Sequence, residues 1–322
     1  MKRILPIVVV LVLAMGSAVP SAQDFPTRPV RMIIPFVPGG SIDTVGRRIA
    51  DAWSVALRQQ IVVDNRGGAG GNVGTSTVAH ATPDGYTMLY GNLGPLAIGP
   101  HLYRKLDYDV AKQLAPVSLV GSSPLLLFSS TKLPVQSVQE LVAYAKARPG
   151  QLNYASSGIG SGLHLAAELF RNAAGVDIVH VPYKGLGQAW PDIGTGRVQL
   201  LVNTYPGSVA QLKAGRIRAL LTGGTRRSPQ LPDVPTGAEA GLPGFETTAW
   251  HAVVVPAGTP RPIVAKLQQT LATTLQQPEL RERLAAEDVE PIASSPEELG
   301  RFMRSESAKW GKIVKAAGIE PE

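Results

Sequence analysis

The sequence of 322 residues contains no cysteine. Disulfide bonds, thiolate metal ligands, catalytic thiols and a lipid anchor on an N-terminal cysteine are therefore excluded. Charged residues make up 17% and hydrophobic residues 44% of the chain, a balance typical of a globular protein and not of a disordered one. The fold must accordingly be stabilised by its core alone.

Long hydrophobic runs are absent after the first 22 residues. Lys2 and Arg3 precede an apolar run at residues 4–15, and small residues follow as far as Ala22. This pattern is typical of a secretory signal peptide, and the run is shorter than the ~20 residues that span a bilayer. We predict that residues 1–22 are a signal peptide cleaved near residues 18–22, and that the mature protein is soluble in the periplasm.

Sequence motifs for catalysis, metals and nucleic acids are also absent. The five histidines are scattered without metal-ligand spacing, and no phosphate-binding G-x-x-x-x-G-K-[ST] motif occurs. Ser157 has Ala155 instead of glycine two residues before it, so a nucleophile elbow is missing. The formal net charge of +7 is carried by no basic block. We therefore predict no enzymatic activity, no cofactor, no metal and no nucleic-acid partner.

The sequence does contain glycine turns between apolar strands and amphipathic helices. An apolar run at residues 30–37 leads into Pro38-Gly39-Gly40, after which residues 42–57 show helical spacing. A turn of this kind presents free N–H groups and the positive end of a helix dipole, which suits an anion. An ordinary connection that binds nothing has the same pattern, so this stretch alone leaves both interpretations open.

A second stretch repeats this design. A strand is predicted at residues 152–155, a glycine- and serine-rich turn follows up to Gly162, and helical spacing begins at Leu163. Strands are predicted again at 248–255, and closing helices at 279–287 and 296–317. Strands that alternate with helices predict an α/β fold with mostly parallel sheets, in which ligands bind at the carboxyl ends of the strands.

Eight short motifs, taken in order, resemble the Bug (TctC-like) family of periplasmic solute-binding proteins, the receptors of tripartite tricarboxylate transporters. They cover nearly the whole mature chain and are PTRP at 26–29, PFVPGG at 35–40, NRGGAGGN at 65–72, PDGYT at 83–87, YASSG at 154–158, VPYKG at 181–185, EAGLPG at 239–244 and VPAGTP at 255–260.

The resemblance implies a two-lobed, type II-like periplasmic-binding-protein fold that closes on its ligand like a clamp. Lobe I would comprise residues 23–122 and 250–322, and lobe II residues 123–249. Loops 36–43 and 155–164 would grip a small organic carboxylate, and the monomeric receptor would deliver it to integral membrane subunits of a tripartite transporter. A sensory protein that presents its ligand to a signalling partner is the alternative, and a periplasmic hydrolase is a more distant one.

The expected ligand-binding residues lie in these two loops and at the ends of nearby strands. They are Phe36, Pro38, Gly39, Gly40, Ser41, Asp43, Asn92, Ala155, Ser156, Ser157, Gly158, Gly160, Ser161, His164, Asn203 and Trp250. Several have a structural alternative: Asp43 as a first-turn acid, Ser161 as a helix cap, and Trp250 as a core residue. Asn203 stands in a segment that departs from the family's usual Asp-Asn-x-Pro, so no family member's ligand can be assigned to this chain.

Overall fold

Two β-sheets organise the chain in the computed structural model, which describes residues 25–183, 185–316 and 318. The predicted signal peptide, residues 1–22, lies outside the described residues. Among those residues, no helix has both the length and the apolar character needed to cross a membrane.

Eleven strands and eleven α-helices are assigned in the described part of the chain. The strands are β1 (Val30–Ile34), β2 (Ile61–Asn65), β3 (Thr87–Asn92), β4 (Leu114–Pro124), β5 (Leu126–Ser130), β6 (Leu152–Ser156), β7 (Ile178–Pro182), β8 (Leu200–Asn203), β9 (Ile217–Thr222), β10 (Thr248–Pro256) and β11 (Glu290–Pro291). The helices are α1 (Ser41–Leu57), α2 (Asn72–Ala79), α3 (Gly99–Leu102), α4 (Val110–Gln113), α5 (Val138–Lys146), α6 (Gly162–Ala174), α7 (Trp190–Thr195), α8 (Val209–Lys213), α9 (Arg261–Leu275), α10 (Pro278–Ala286) and α11 (Pro296–Ala316). Shorter turns of 3₁₀ or π helix lie at Ala69–Gly71, Gly94–Ile98 and Leu186–Gln188.

The chain crosses from one sheet to the other and back. The first sheet has the strand order β11-β4-β10-β3-β1-β2, and the second has the order β7-β6-β8-β5-β9. Only Leu125 separates β4 in the first sheet from β5 in the second, and the chain returns between β9 and β10.

Both sheets are mixed, whereas the sequence predicted mostly parallel ones. The pairs β1–β2, β1–β3, β6–β7 and β6–β8 are parallel, but β10 pairs antiparallel with β3 and β4, and β5 with β8 and β9. The crossings explain the difference, because β4 leaves the first sheet toward the second while β10 enters from it. The α/β class itself is confirmed.

Helix α1 covers one face of the first sheet at very short distance. Its apolar side chains, from Ile42 to Leu57, belong to the core that this helix forms with β1, β3 and β10. A Cβ atom at Gly46 would lie 2.8 Å from Ile34 Cδ1 and 3.0 Å from Tyr90 Cδ1, so only glycine permits this approach. The helix N-terminus is thereby fixed at the carboxyl ends of β1 and β3.

Candidate functional site

Asp43 holds together the loop that precedes α1. The residue is 4% exposed, and its carboxylate accepts hydrogen bonds from the Gly39 N–H (2.9 Å), Arg47 Nε (3.0 Å) and Asn65 Nδ2 (2.9 Å). Asn65 Nδ2 also donates to the Phe36 carbonyl oxygen at 2.9 Å. The loop from 36 to 43 is thus tied to Asn65 at the end of β2 both through the Asp43 carboxylate and through the Phe36 carbonyl.

The charge of Asp43 is stabilised within this network. Burial alone raises the pKa of the carboxyl, but the hydrogen bonds from Gly39, Arg47 and Asn65 outweigh burial and hold the pKa below its usual value. Asp43 is therefore ionised at neutral pH and turned toward the loop, which makes it a positioning residue and not a group that itself faces an anion.

The first turn of α1 presents N–H groups with no acceptor inside the helix. Gly40 is the N-cap, has extended backbone angles and receives no side-chain cap, so the N–H groups of Ser41 and Ile42 have no intrahelical partner. Pro38, Gly39 and Gly40 are exposed, and no heavy atom lies within 4 Å of a Cβ built at either glycine. An open helix N-terminus of this kind suits a carboxylate.

The loop before α6 is more completely bonded. Ser161 caps the helix by accepting from the His164 N–H at 3.2 Å, and the Gly160 N–H donates to His164 Nδ1 at 3.1 Å. Ser156 Oγ accepts from the Gly158 N–H at 3.1 Å and lies 2.6 Å from His180 Nε2. His164 and Ser156 therefore shape the loop from inside, since 5% and 0% of these residues are exposed.

Two stacked imidazoles support this second loop. The rings of His164 and His180 lie 3.9 Å apart between centroids at an angle of 12°, and Tyr154 stacks on His180 at 4.9 Å. Burial, followed by the charges of His180 and Arg171, lowers the pKa of His164 to about 3. Burial lowers the pKa of His180 to about 4. Both rings are therefore neutral at neutral pH.

These depressed pKa values predict a loss of stability in acid. An unfolded histidine has a pKa of ~6.5, so between pH ~6.5 and ~4 the unfolded chain binds protons that the folded chain excludes, and the free energy of unfolding falls as pH falls. For one such histidine the loss reaches about 2 kcal/mol at pH 5 relative to neutral pH. Urea unfolding at pH 7 and pH 5 measures it, and His164→Phe should show a weaker pH dependence than the wild type. An equal dependence in both proteins would contradict the prediction.

The segment from 93 to 102 lies between the two loops. On one side, a Cβ at Gly160 would lie 2.4 Å from Leu102 Cδ1, and Gly160 has a φ of +71° that favours glycine. On the other side, a Cβ at Gly71 would lie 3.2 Å from Phe36 Cζ and 3.1 Å from Pro95 Cγ. Both loops therefore border the same short stretch of first-sheet structure, and the half-buried Phe36 ring packs beside it.

The other predicted residues occupy varied positions. Ser157 and Gly158 are half-buried in the second loop, whereas the Ala155 side chain is fully buried in the core beneath it. Asn92 ends β3, and its Oδ1 is buried without a hydrogen-bond partner. Asn203 ends β8 and is 7% exposed; within the described residues its side chain forms no hydrogen bond.

Trp250 is a core residue, so its expected place as a wall of the ligand site is wrong. The side chain is 0% exposed, its Nε1 donates to Glu306 Oε2 at 2.9 Å, and its ring packs edge-on against Phe302 at 5.3 Å. Successive strand residues point to opposite faces. Trp250 therefore faces α11, and its neighbour His251 faces α1.

The site contains one feature that hydrolases also use, a serine beside a histidine. Ser156 Oγ is fully buried and bonded within its own loop, and no carboxylate orients His180 among the residues described. Within the same residues, no group of three or more histidine, aspartate or glutamate side chains is arranged to hold a metal ion. Within the described residues, Ser156 is hydrogen-bonded as a part of the loop that precedes α6.

Comparison with known proteins agrees with this geometry. Residues 45–319 match the family described as "Tripartite tricarboxylate transporter family receptor", TctC. The chain belongs to this family. Among curated relatives, Protein BugT of Bordetella pertussis is 38% identical over 322 residues, which is 99% of each chain.

Solved structures of related proteins support both the TctC family assignment and the fold. The structure titled "R. palustris Rpa4515 with adipate" has a TM-score of 0.88 and 41% identity, covering 93% of this chain and 100% of that one. "MatC (Rpa3494) from Rhodopseudomonas palustris with bound malate" has a TM-score of 0.82 and 35% identity, covering 90% and 100%. The resemblance to the Bug/TctC family and the periplasmic-binding-protein fold are thereby confirmed, and the TctC family is one of solute-binding receptors.

Proposed function

We propose that this protein is a periplasmic receptor that captures a small organic carboxylate between two lobes and delivers it to the membrane subunits of a tripartite transporter. The lobes are residues 23–122 with 250–322, and residues 123–249. The observation that carries the proposal is the N-terminus of α1, where Asp43 fixes the loop and the N–H groups of Ser41 and Ile42, next to the exposed Gly39 and Gly40, have no acceptor within the helix.

The chemistry of that turn supports a carboxylate. Backbone N–H groups at a helix N-terminus combine hydrogen-bond donors with the positive end of the dipole. The ionised Asp43 is already bonded to Gly39, Arg47 and Asn65, so its charge is compensated before an anion arrives. Related proteins bound to adipate and malate, both small organic acids, support the same class of ligand.

Contacts from both halves of the molecule give a reason for closure. The loop before α6 belongs to the second sheet, yet Gly160 packs on Leu102 beside the first. A ligand held by loops 36–43 and 155–164 together stabilises whichever arrangement allows both sets of contacts, and so shifts the population toward the closed form.

A panel of organic acids tests the function by thermal shift. A ligand that binds the native state raises the melting temperature, so short aliphatic, hydroxylated and aromatic acids are screened against their methyl esters, which keep the skeleton and lose the charge. Stabilisation by an acid and not by its ester supports carboxylate capture. No stabilisation by any acid, with the protein shown to be folded, contradicts it.

Ser41→Pro is expected to weaken binding of the acid found in that screen about tenfold or more, because a hydrogen bond to a charged group is lost. Proline is tolerated at the first position of a helix, and here it removes the N–H together with the serine hydroxyl. Ser41→Ala keeps the N–H and removes the hydroxyl, so it is the matched control. If calorimetry finds equal affinities for the two variants, the Ser41 N–H does not bind the ligand.

A sensory receptor remains the alternative to a transport receptor. Genes for two integral membrane subunits beside this one favour delivery to a transporter, whereas a neighbouring histidine kinase gene favours presentation to a signalling partner. A hydrolase is the weaker alternative, since Ser156 Oγ is buried; turnover of a substrate panel that disappears in Ser157→Ala would favour it.

A further inference from the structure

His251 is a buried histidine with no hydrogen-bond partner. The residue is 5% exposed, its Nδ1 is buried and unpaired, and within the described residues neither ring nitrogen forms a hydrogen bond. Burying a polar group without a partner is costly, so such groups in native proteins are normally satisfied by protein, water or ligand. The ring therefore has unused hydrogen-bonding capacity.

Asn92 lies directly opposite His251 and has the same property. The two residues are register partners in the antiparallel pair of β3 and β10, so their side chains project from one face of the sheet with Cβ atoms about 4.5–5.5 Å apart. Asn92 Oδ1 is buried without a partner. Two neighbouring side chains thus offer a matched set of unused donors and acceptors.

This pair lies close to the first turn of α1. His251 stacks on Tyr90 at 5.4 Å and 10°, and Tyr90 contacts α1 at Gly46. Asn92 is two residues beyond Tyr90 toward the carboxyl end of β3, a distance of about 6–7 Å. Along α1, the step from Gly46 back to Ser41 covers about 7–8 Å in the same direction. The pair and the open N–H groups of α1 are therefore at one end of the sheet.

The strand geometry around His251 is also irregular. The pairing of β10 with β4 shifts register between His251 and Ala252, as in a β-bulge. Bulges re-aim side chains and are over-represented beside functional sites. The residue opposite His251 on β4 is Gly121, which has no side chain of its own, and a Cβ there would lie 2.7 Å from the Glu290 carbonyl oxygen and 3.3 Å from Val289 Cγ1.

The charges around the pair favour a neutral ligand group over a second carboxylate. Burial lowers the pKa of His251 to about 4, so the ring is neutral at neutral pH. The cations on α1 nearest this end of the sheet are already paired, Arg47 with Asp43 and Arg48 with Glu287. Burial and, after it, the charge of Glu287 raise the pKa of Tyr90, the ring that stacks on His251. Because Glu287 is itself paired with Arg48, this ion pair leaves no net positive charge to attract a second anion.

Resting on the function proposed above, we infer that His251 and Asn92 form a specificity subsite for a hydroxyl group carried by the carboxylate ligand. A hydroxyl donates one hydrogen bond and accepts others, so it can donate to Asn92 Oδ1 and accept from the Nδ1–H of the neutral imidazole, which satisfies both unpaired atoms. The α1 N-terminus then binds the carboxylate while this pair selects acids by their hydroxyl.

Matched pairs of acids test the subsite. Succinate with malate, glutarate with 2-hydroxyglutarate, and benzoate with 4-hydroxybenzoate differ only by the hydroxyl, and calorimetry gives the affinity ratio within each pair. At least one pair should favour the hydroxy acid by about tenfold or more in the wild type, since a satisfied buried polar pair discriminates strongly against a ligand that leaves it unpaired.

Variants assign the preference to this pair of residues. His251→Phe keeps the ring against Tyr90, and Asn92→Leu keeps approximate volume; each should reduce the ratio to within about threefold, mainly by weakening the hydroxy acid. His80→Phe, the same substitution at an exposed histidine, is the control and should keep the wild-type ratio. Circular dichroism establishes that each variant is folded.

The outcomes separate the two proposals. If acids bind the wild type but the hydroxyl preference is absent or survives in both folded variants, the subsite is overturned and carboxylate capture stands. A wild-type preference for a second carboxylate that His251→Phe abolishes also overturns recognition of a hydroxyl. If no acid of any kind binds the wild type, the function fails and the subsite fails with it.

Discussion

Replacing Asp43 with alanine is expected to weaken carboxylate binding more than tenfold and to lower the free energy of unfolding by about 2–3 kcal/mol, since hydrogen bonds to a buried charge are lost. The Gly39 N–H, Arg47 Nε and Asn65 Nδ2 would all lose the carboxylate that accepts from them. Asn65, which the carboxylate positions, also donates to the Phe36 carbonyl, so the conformation of the whole loop depends on the Asp43 carboxylate. Calorimetry with the identified acid and urea unfolding measure the two effects.

Asp51→Ala provides the matched control, because Asp51 is an exposed aspartate on the same helix. Its stability should stay within about 0.5 kcal/mol of the wild type, and its affinity should be unchanged. Asp43→Asn keeps the shape and separates charge from packing. Wild-type affinity in a folded Asp43→Ala protein would show that the loop keeps its conformation without the carboxylate.

Lowering the pH moderately below neutral should reproduce little of the effect of Asp43→Ala. The hydrogen bonds that lower the pKa of Asp43 keep it ionised well into the acid range, whereas the stacked His164 and His180 become unfavourable as the pH falls below ~6.5. The first loop is therefore fixed by a charge and the second by neutral rings, and the two loops differ in their sensitivity to pH.

Local signals in the sequence were sufficient for most of the elements. The strand expected at 248–255 is β10, Thr248–Pro256, and the helix expected at 296–317 is α11, Pro296–Ala316. Periodic apolar residues with glycine or proline at the ends define such elements within the segment itself. The helical turns at Gly94–Ile98 and α3 were not expected, because their glycines and prolines are typical of a loop.

The partners within the site depend on pairings that no local pattern reveals. Asp43 was identified by its place in the first turn, but Asn65 reaches it only because β2 pairs with β1 in a register that brings Asn65 beside Ile34. His180 meets the second loop for the same reason, through its register with Tyr154 on β6. Sequence reasoning thus finds the residues on the loops and misses those that hold the loops in place.

The sequence analysis assigned Trp250 to the ligand side and overlooked His251 for a different reason. Both faces of β10 are buried, from Trp250 to Pro256, so the sequence lacks the alternation of apolar and polar residues that reveals which face a strand residue occupies. A shift of one residue transfers a side chain to the opposite face. The tryptophan was therefore assigned to the ligand side, and the histidine that faces α1 was overlooked.

Trp250→Ala should accordingly destabilise the protein without changing the ligand site. Truncating a fully buried tryptophan costs about 3–5 kcal/mol, which in a protein of this size lowers the melting temperature by roughly 5–8 °C. Glu306 Oε2 accepts from both Trp250 Nε1 and Trp310 Nε1, so the variant leaves this carboxylate with one indole. Differential scanning calorimetry measures the change.

The ligand affinity of the Trp250→Ala variant shows whether Trp250 is a core residue or a wall of the ligand site. At a temperature below the unfolding transition, the affinity of folded Trp250→Ala for the identified acid should lie within about twofold of the wild type. The reason is that α11 covers the indole on the face of the sheet away from α1, so a cavity there should change the binding free energy by no more than ~0.4 kcal/mol. Trp250→Phe keeps most of the ring and loses only the N–H donated to Glu306, so its loss of stability should be smaller. A Trp250→Phe protein as stable as the wild type but with tenfold weaker binding would return Trp250 to the ligand site, since burial in the core gives no route to that result.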